Sequence, residues 1–331
     1  MNTIRSYTGN ARRQGYARLP WLPAAVKAGN RFHYRRKNPW KHNLLNLSLL
    51  ALLLLTGGGV LVLSKIVPAA VYLPLASLAS GLLIFALLIL VVHESTHTMF
   101  IIMRDGNLAK KLNRSLGRLI CYPLGIDYKH HWQIGHITHH IDALEAHDPQ
   151  NCPNTVLTGR ALFKALLLDL IPGYAHLFRK YDDCDGPKQY PANYPMVMVQ
   201  VAFWALLIWI SLEYLNWTGP LAVFFGAQVT LMINRIKIAM EHGGPMLIRD
   251  NHWLKSASSF FPLRQLFMPF NISLHFEHHV NFNVPWYDLK QYHDLLLGII
   301  PSKDQAKVFH KNSEVLAVIF SDDARREALN H

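Results

Sequence analysis

Charge is scarce in this chain. Only 16% of its 331 residues are Asp, Glu, Lys or Arg, against roughly a quarter in an ordinary soluble domain, while 51% are hydrophobic. That balance excludes an ordinary aqueous domain and points to an integral membrane protein. Negative charge is scarcer still, since no acidic residue precedes Glu94. Cysteine is limited to Cys121, Cys152 and Cys184, with no Cys-x-x-Cys pair. This excludes a disulfide framework, a zinc ribbon and an iron–sulfur signature, and suits reduced thiols. The haem-attachment and G-x-G-x-x-G nucleotide fingerprints are missing as well, so no electron carrier is fused to the chain. The first apolar run begins only after residue 42, so a cleaved signal peptide is not expected.

Long apolar runs are what the chain has instead. Leu44 to Leu63 carries no charge, and its 20 residues match the roughly 30 Å hydrocarbon core at about 1.5 Å per residue. A second run covers 69–92, a third about 196–212, and a shorter fourth about 221–233, expected to continue as helix past Arg235 and Lys237. The mixed stretch 157–178 reads as an amphipathic helix lying at the membrane interface. The fold class expected is therefore an all-α integral membrane protein, with four transmembrane helices in two hairpins and a cytoplasmic helical cap. Net charge is +12, and ten Lys and Arg fall in the first 42 residues. A basic block could bind nucleic acid, but beside a span it marks the cytoplasmic flank, and no nucleic-acid partner is expected. With the N-terminus inside, segments 93–195 and 234–331 lie inside too, and the outer turns carry only Lys65 as a basic residue. The organisation expected is a basic cytoplasmic segment 1–42, a membrane and metal domain 43–290, and a cytoplasmic helical tail 291–331.

Histidine is abundant, with 19 in the chain, and its spacing is ordered. His93 and His97 end the second run in HESTH. His136, His139 and His140 form an H-x-x-H-H group, and His275, His278 and His279 form another. His242 follows the fourth run in MEHGG. Residues three or four apart share a helix face, while neighbours splay by about 100°, so adjacent ligands can serve different ions. Nine imidazoles on one side of the bilayer exceed the three or four a tetrahedral zinc takes and suit a pair of metal ions. Imidazole alone does not choose between zinc, copper, iron and nickel. Glu94-x-x-His97 has no second copy, so a carboxylate-rich di-iron bundle is not expected. Glu94 reads as a residue positioning the helix, not as a base. His130, His131 and His147 suit bracing or surface roles. His33, His42, His176, His252, His293, His310 and His331 are isolated and carry no assignment. Two rival readings stay open here. An intramembrane zinc peptidase would use HESTH with Glu94 as base, leaving both H-x-x-H-H groups idle. A metal transporter or sensor would want ionisable groups in mid-span, where the runs offer almost none.

The order H-x-x-x-H, H-x-x-H-H, H-x-x-H-H among two pairs of spans resembles the membrane fatty acid desaturase and hydroxylase superfamily. Trp132 before the second box, Asp148-Pro149 after it and HFEHHVNFNVPWYDL around the third strengthen the likeness, which covers roughly residues 40–290. The resemblance implies a non-haem centre of two irons, cycling between Fe2+ and Fe3+, with O2 as co-substrate. By position it implies His93, His97, His136, His139, His140, His275, His278 and His279 as ligands, with His242 matching a further histidine that follows the fourth span in relatives. It implies oxidation of an unactivated C–H bond in a fatty acyl or similar lipid chain, foremost desaturation. Hydroxylation, ketone formation and oxidative decarboxylation to a terminal alkene are the alternatives. The EHGG around His242 is closer to the EHYG of alkane hydroxylases than to the motif of animal acyl-CoA desaturases. A separate ferredoxin, rubredoxin or cytochrome b5-like donor is implied. Basic residues including Arg104, Lys110, Lys111, Arg114 and Arg118 could dock it or simply attract lipid headgroups.

Overall fold

The computed structural model describes residues 19–145, 148–151, 155–171 and 192–321. His147, His176, His331, Cys152, Cys184, the arginines before residue 19 and the interfacial stretch past residue 171 lie outside the described residues.

The described residues are mostly helical, and among them four helices are long and apolar enough to cross a membrane. After a short α1 (Leu22–Gly29), α2 (Pro39–Leu63) opens on Pro39 with the Asn38 side chain accepting from the Lys41 N–H. A Pro-first, Asn-capped start satisfies a donor that would otherwise be orphaned. The helix therefore begins inside the segment expected to end at residue 42. The second spanning helix is α3 (Ala69–Thr96), followed by the shorter helices α4 (Gly106–Cys121), α5 (Ile137–Ile141) and α6 (Gly159–Asp169). The remaining spanning helices are α7 (Tyr194–Tyr214), capped by Asn193 on Met196, and α8 (Thr218–His242). As expected, α8 runs on well past Ile233.

Glycine sets how closely α3 and α8 approach. A Cβ on Gly226 would lie 2.6 Å from Ser80 Cβ and 3.0 Å from the Gly81 nitrogen. The Thr230 hydroxyl donates to the Gly81 carbonyl at 2.9 Å across the crossing. In lipid, where no hydrophobic drive pulls helices together, such close backbone contact and hydrogen bonding supply the packing. Leu52 and Leu55 on α2 and Trp209 and Leu212 on α7 are exposed, as lipid-facing side chains would be.

Downstream of α8 come β1 (Ser258–Phe260), α9 (His275–Val280), α10 (Leu289–Leu297), α11 (Ser302–Val308), β2 (Phe309–Lys311) and α12 (Ser313–Phe320). The strands pair in parallel, Ser258 opposite Phe309 and Phe260 opposite Lys311, a small sheet that the all-α expectation did not contain. Leu22 and Ala25 of α1 join Phe276, Val280 and Tyr292 in one buried cluster, and the Tyr292 hydroxyl donates to the Ala25 carbonyl at 2.9 Å. Chain from both ends thus wraps α9, which at six residues is far too short to hold itself as a helix.

In α6, the exposed Phe163 and Leu167 fit an interfacial helix, while buried Asp169 pairs with Arg235 of α8. The ion pair fixes α6 beside α8.

Candidate metal centre

Local backbone irregularity presents the histidines. The last part of α3 is π-helical over Leu88–His93, a wider turn that adds a residue to the repeat and is common at functional sites. His97 follows, and then Thr98 takes φ 60°, a left-handed conformation uncommon for a β-branched residue. Asp127 caps a second π segment, Tyr128–His136, by accepting from the Lys129 and His130 amides. His136 ends this segment, and His139 and His140 lie on α5. His242 is the last residue of α8, and Gly243 ends that helix where a Cβ would meet the Ala239 carbonyl at 2.4 Å.

All nine histidines singled out in the sequence come together, in two groups. His93, His97, His136, His140 and His278 form the first, and His139, His242, His275 and His279 the second; within each group the candidate ligand atoms lie within 4.8 Å of one another. The neighbours His139 and His140 go to different groups, as do His278 and His279, while the pairs 93/97, 136/140 and 275/279 stay together. That division follows from helical geometry, since i,i+4 side chains share a face and adjacent ones do not. The groups touch, with the rings of His140 and His279 4.4 Å apart.

Proton placement shows what the groups need. His139 Nδ1 lies 2.7 Å from Asp148 Oδ2, and His242 Nδ1 lies 2.8 Å from the Lys255 carbonyl. Both partners only accept, so each neutral ring carries its proton on Nδ1 and its lone pair on Nε2. Yet the two Nε2 atoms are 3.0 Å apart, and His242 Nε2 is 2.9 Å from His275 Nε2. Lone pairs facing each other repel, and a cation between them resolves the conflict. In the first group, His136 Nε2 lies 3.2 Å from His97 Nε2 and 3.0 Å from His140 Nε2, and His93 Nε2 is buried with no partner among the described residues. Nitrogens bound at right angles to one ion, at about 2.1 Å each, would sit about 3.0 Å apart. The residues fit metal. Burial and then the repulsion of neighbouring imidazoles hold His136, His140, His275, His278 and His279 well below their ordinary value, and burial pushes His97 down to about 3. Neutral rings are the form that binds metal.

Carboxylates surround this shell without entering it. Glu94 sets an oxygen 3.3 Å from His93 Nδ1, and Glu241 sets one 3.2 Å from His275 Nδ1 while pairing with Lys237. Asp148 is fixed further by the amides of Leu144 and Gln150. Lys255, whose carbonyl holds His242, reaches Glu145 at 2.9 Å. Groups that orient ligating imidazoles contribute about 10- to 100-fold in metal affinity. Asp148→Ala is accordingly expected to weaken any metal binding by the group that contains His139 by about that factor, read by chelator competition; unchanged affinity would show that Asp148 holds only the loop.

Sequence reasoning missed several of these residues. Glu277 is completely buried, facing away from the metal groups toward Ser258 and His293. No spacing marked His293, although Glu277 inside HFEHH was in view. Lys255 acts through its backbone, which no side-chain pattern reveals. His130 bonds Asp127 at 3.0 Å and braces the cap, His131 is exposed, and His42 bonds the Met99 carbonyl at 2.6 Å.

A family model described as fatty acid desaturase matches residues 68–310, well over half of the chain. No curated protein matches it.

Proposed function

The chain belongs to the fatty acid desaturase family, and from that premise we propose that its two histidine groups hold two iron ions and use O2 to desaturate a fatty acyl or similar lipid chain. One observation carries this reading: two touching groups made wholly of imidazoles, five and four strong. Nitrogen donors suit iron, and adjoining groups suit a dinuclear centre. In a zinc peptidase built on HESTH, seven of these nine rings would have no role. Glu94 also faces His93 Nδ1 and the Trp286 amide, where a general base would need open access to water.

Iron bound there supplies the redox chemistry: overall, the chain loses two hydrogen atoms as a C=C bond forms, two electrons and two protons arrive, and O2 leaves as two waters. The protein's own part is placement. Asp148 and the Lys255 carbonyl hold protons at His139 and His242 Nδ1, turning both Nε2 atoms inward. Phe282 lies over His97 and His140, at 5.3 and 5.5 Å between ring centroids, and shields the first group from water.

In the arrangement proposed, two helical hairpins put both termini and every histidine group on the cytoplasmic side, which the basic N-terminal segment supports. An external ferredoxin, rubredoxin or cytochrome b5-like donor brings the electrons. Lys110, Arg114 and Lys129 surround a recess of about 340 Å³ whose floor includes Thr96 and Thr98, on either side of His97. A basic surface this close to the first group suits an acidic donor. Arg114→Glu should slow donor-driven turnover and flatten its dependence on salt while metal content holds; an unchanged salt profile would remove this face as the dock.

Lipid profiling by mass spectrometry tests the reaction itself, comparing cells that express the native chain with cells expressing one whose box histidines are alanine. An additional double bond that needs both oxygen and the histidines is the expected result. A hydroxyl, ketone or terminal alkene would reassign the outcome of the same site, and no oxygen-dependent difference would sink the reading.

A further inference from the structure

An apolar groove of about 590 Å³ lies against the inner end of α8, within the roughly 300–1,000 Å³ of ligand pockets. Ile233, Ile236 and Met240 of α8 form one wall, and Val315, Leu316 and Ile319 of α12 face them. Phe261, Phe267 and Met268 close a third side, and the polar residues in the lining are Asn312 and Ser313. The rim is apolar and bare: Leu316 is 55% exposed and Phe267 40%. Exposed apolar surface of this kind is unfavourable against water and neutral against hydrocarbon. One wall belongs to a helix apolar enough to span a membrane, at the end where its uncharged run gives way to Arg235 and Lys237, which puts the groove at the level of the membrane interface.

The floor leads into the core. Met240, Met268 and Val315 continue inward into a buried cluster with Phe85, Ile89 and Ile272. Ile89 stands four residues before His93, Met240 two before His242, and Ile272 three before His275. One apolar cluster therefore draws on the same chain segments that carry both histidine groups. Met240 and Met268 are nearly fully buried and belong to both the groove lining and that cluster. Their unbranched side chains move aside more readily than leucine or phenylalanine would. The groove shares no lining residue with the basic recess beside His97, so chain and electron donor need not compete for one entrance.

We propose that the substrate chain reaches the metal centre sideways from the bilayer through this groove, with Met240 and Met268 as its inner gate. The protein accordingly takes a chain dissolved in or anchored to the membrane, not one brought on a water-soluble carrier. The proposal rests on the reading of the histidine groups as the reacting centre. A chain already in lipid gains no hydrophobic free energy by entering an apolar groove, because both surroundings exclude water alike. Selection must then come from shape, and the two methionines fix how far a chain can reach.

Photolabelling tests this without turnover. The full-length metal-loaded protein, in phosphatidylcholine vesicles, is irradiated with palmitic acid bearing a diazirine near its methyl end, and adducts are mapped by peptide mass spectrometry. Adducts should concentrate on 233–240, 261–268 and 313–319 and be displaced by excess palmitate. Leu316→Trp, at the exposed rim, should cut them by about tenfold or more, the least that one surplus methylene costs in an apolar pocket. Ile236→Trp is the second variant, and retained metal content shows that each has folded. Adducts confined to the outward faces of α2 and α7, or groove labelling only by a palmitoyl-CoA analogue offered without vesicles, would overturn the proposal. A labelled groove in a protein that makes no oxygen-dependent product would sink the proposed function and leave the groove standing. Product formed with the groove unlabelled would do the reverse.

Discussion

Replacing His242 with alanine should lower the metal content from about two ions per chain to about one and cut turnover more than 100-fold, beyond the roughly 10- to 100-fold typical of residues that only brace a ligand. His242 is the hub of the smaller group, with its Nε2 3.0 Å from His139 and 2.9 Å from His275. The same side chain ties the group to the Lys255 carbonyl, so alanine removes a donor and an anchor together. The five-membered group makes no ligand-atom contact through His242 and should keep its ion. His93→Ala is the informative comparison, because four imidazoles remain in that group and the loss of metal should be smaller. Glu94→Gln keeps the shape beside His93 and should be milder again. A peptidase built on HESTH predicts the opposite order, with Glu94→Gln inactive and His242→Ala near normal. Metal analysis of the purified variants beside oxygen-dependent product formation decides between them. A His242→Ala protein with unchanged metal content and turnover within about tenfold would end the two-ion reading.

The order of those effects was partly open to the sequence, and the reason is physical. Run length and absence of charge announce a spanning helix directly, so all four were placed, with ends shifted by a few residues where Asn38 and Asn193 cap them. Four-residue spacing likewise placed His93 with His97, and adjacency implied that His139 and His140 would part company. Other features depend on contacts between distant segments. Both π segments, Leu88–His93 and Tyr128–His136, arise because tertiary packing pays for a poorer hydrogen-bond pattern, and no residue pattern signals that. The β1–β2 pair joins residues about fifty positions apart in stretches too short to show alternation. The likeness seen in the sequence stopped near residue 290, whereas the family match runs to 310. The added stretch contains His293, which holds Glu277, and Phe309, which packs on Phe276 at 5.6 Å. Those residues brace the third box from behind.

Acid should unfold the metal-stripped protein over a narrow range. His97, His136, His140, His275, His278 and His279 all bind protons more weakly in the fold than at their ordinary value of 6.5, because burial disfavours the charged ring. A depressed folded-state value means that the unfolded chain takes up protons first. Stability is therefore complete above pH 6.5 and falls as pH drops below it, continuing until the folded rings themselves protonate, near 3 for His97. Each ring contributes about 1.4 kcal/mol per pH unit once its unfolded form is charged. All six act in the same direction, so the loss is steep. Thermal unfolding in detergent, with and without metal, at about pH 7.5 and pH 5.5, reads this directly. The stripped protein should lose most of its unfolding temperature across that interval. The loaded protein should hold its transition to lower pH, because bound ions and protons compete for the same Nε2 lone pairs. A stripped protein indifferent to pH in this range would mean that the rings are solvated, and that the lone-pair conflict on which the metal assignment stands is absent. Steep acid loss that metal suppresses would tie stability and metal binding to the same buried nitrogens.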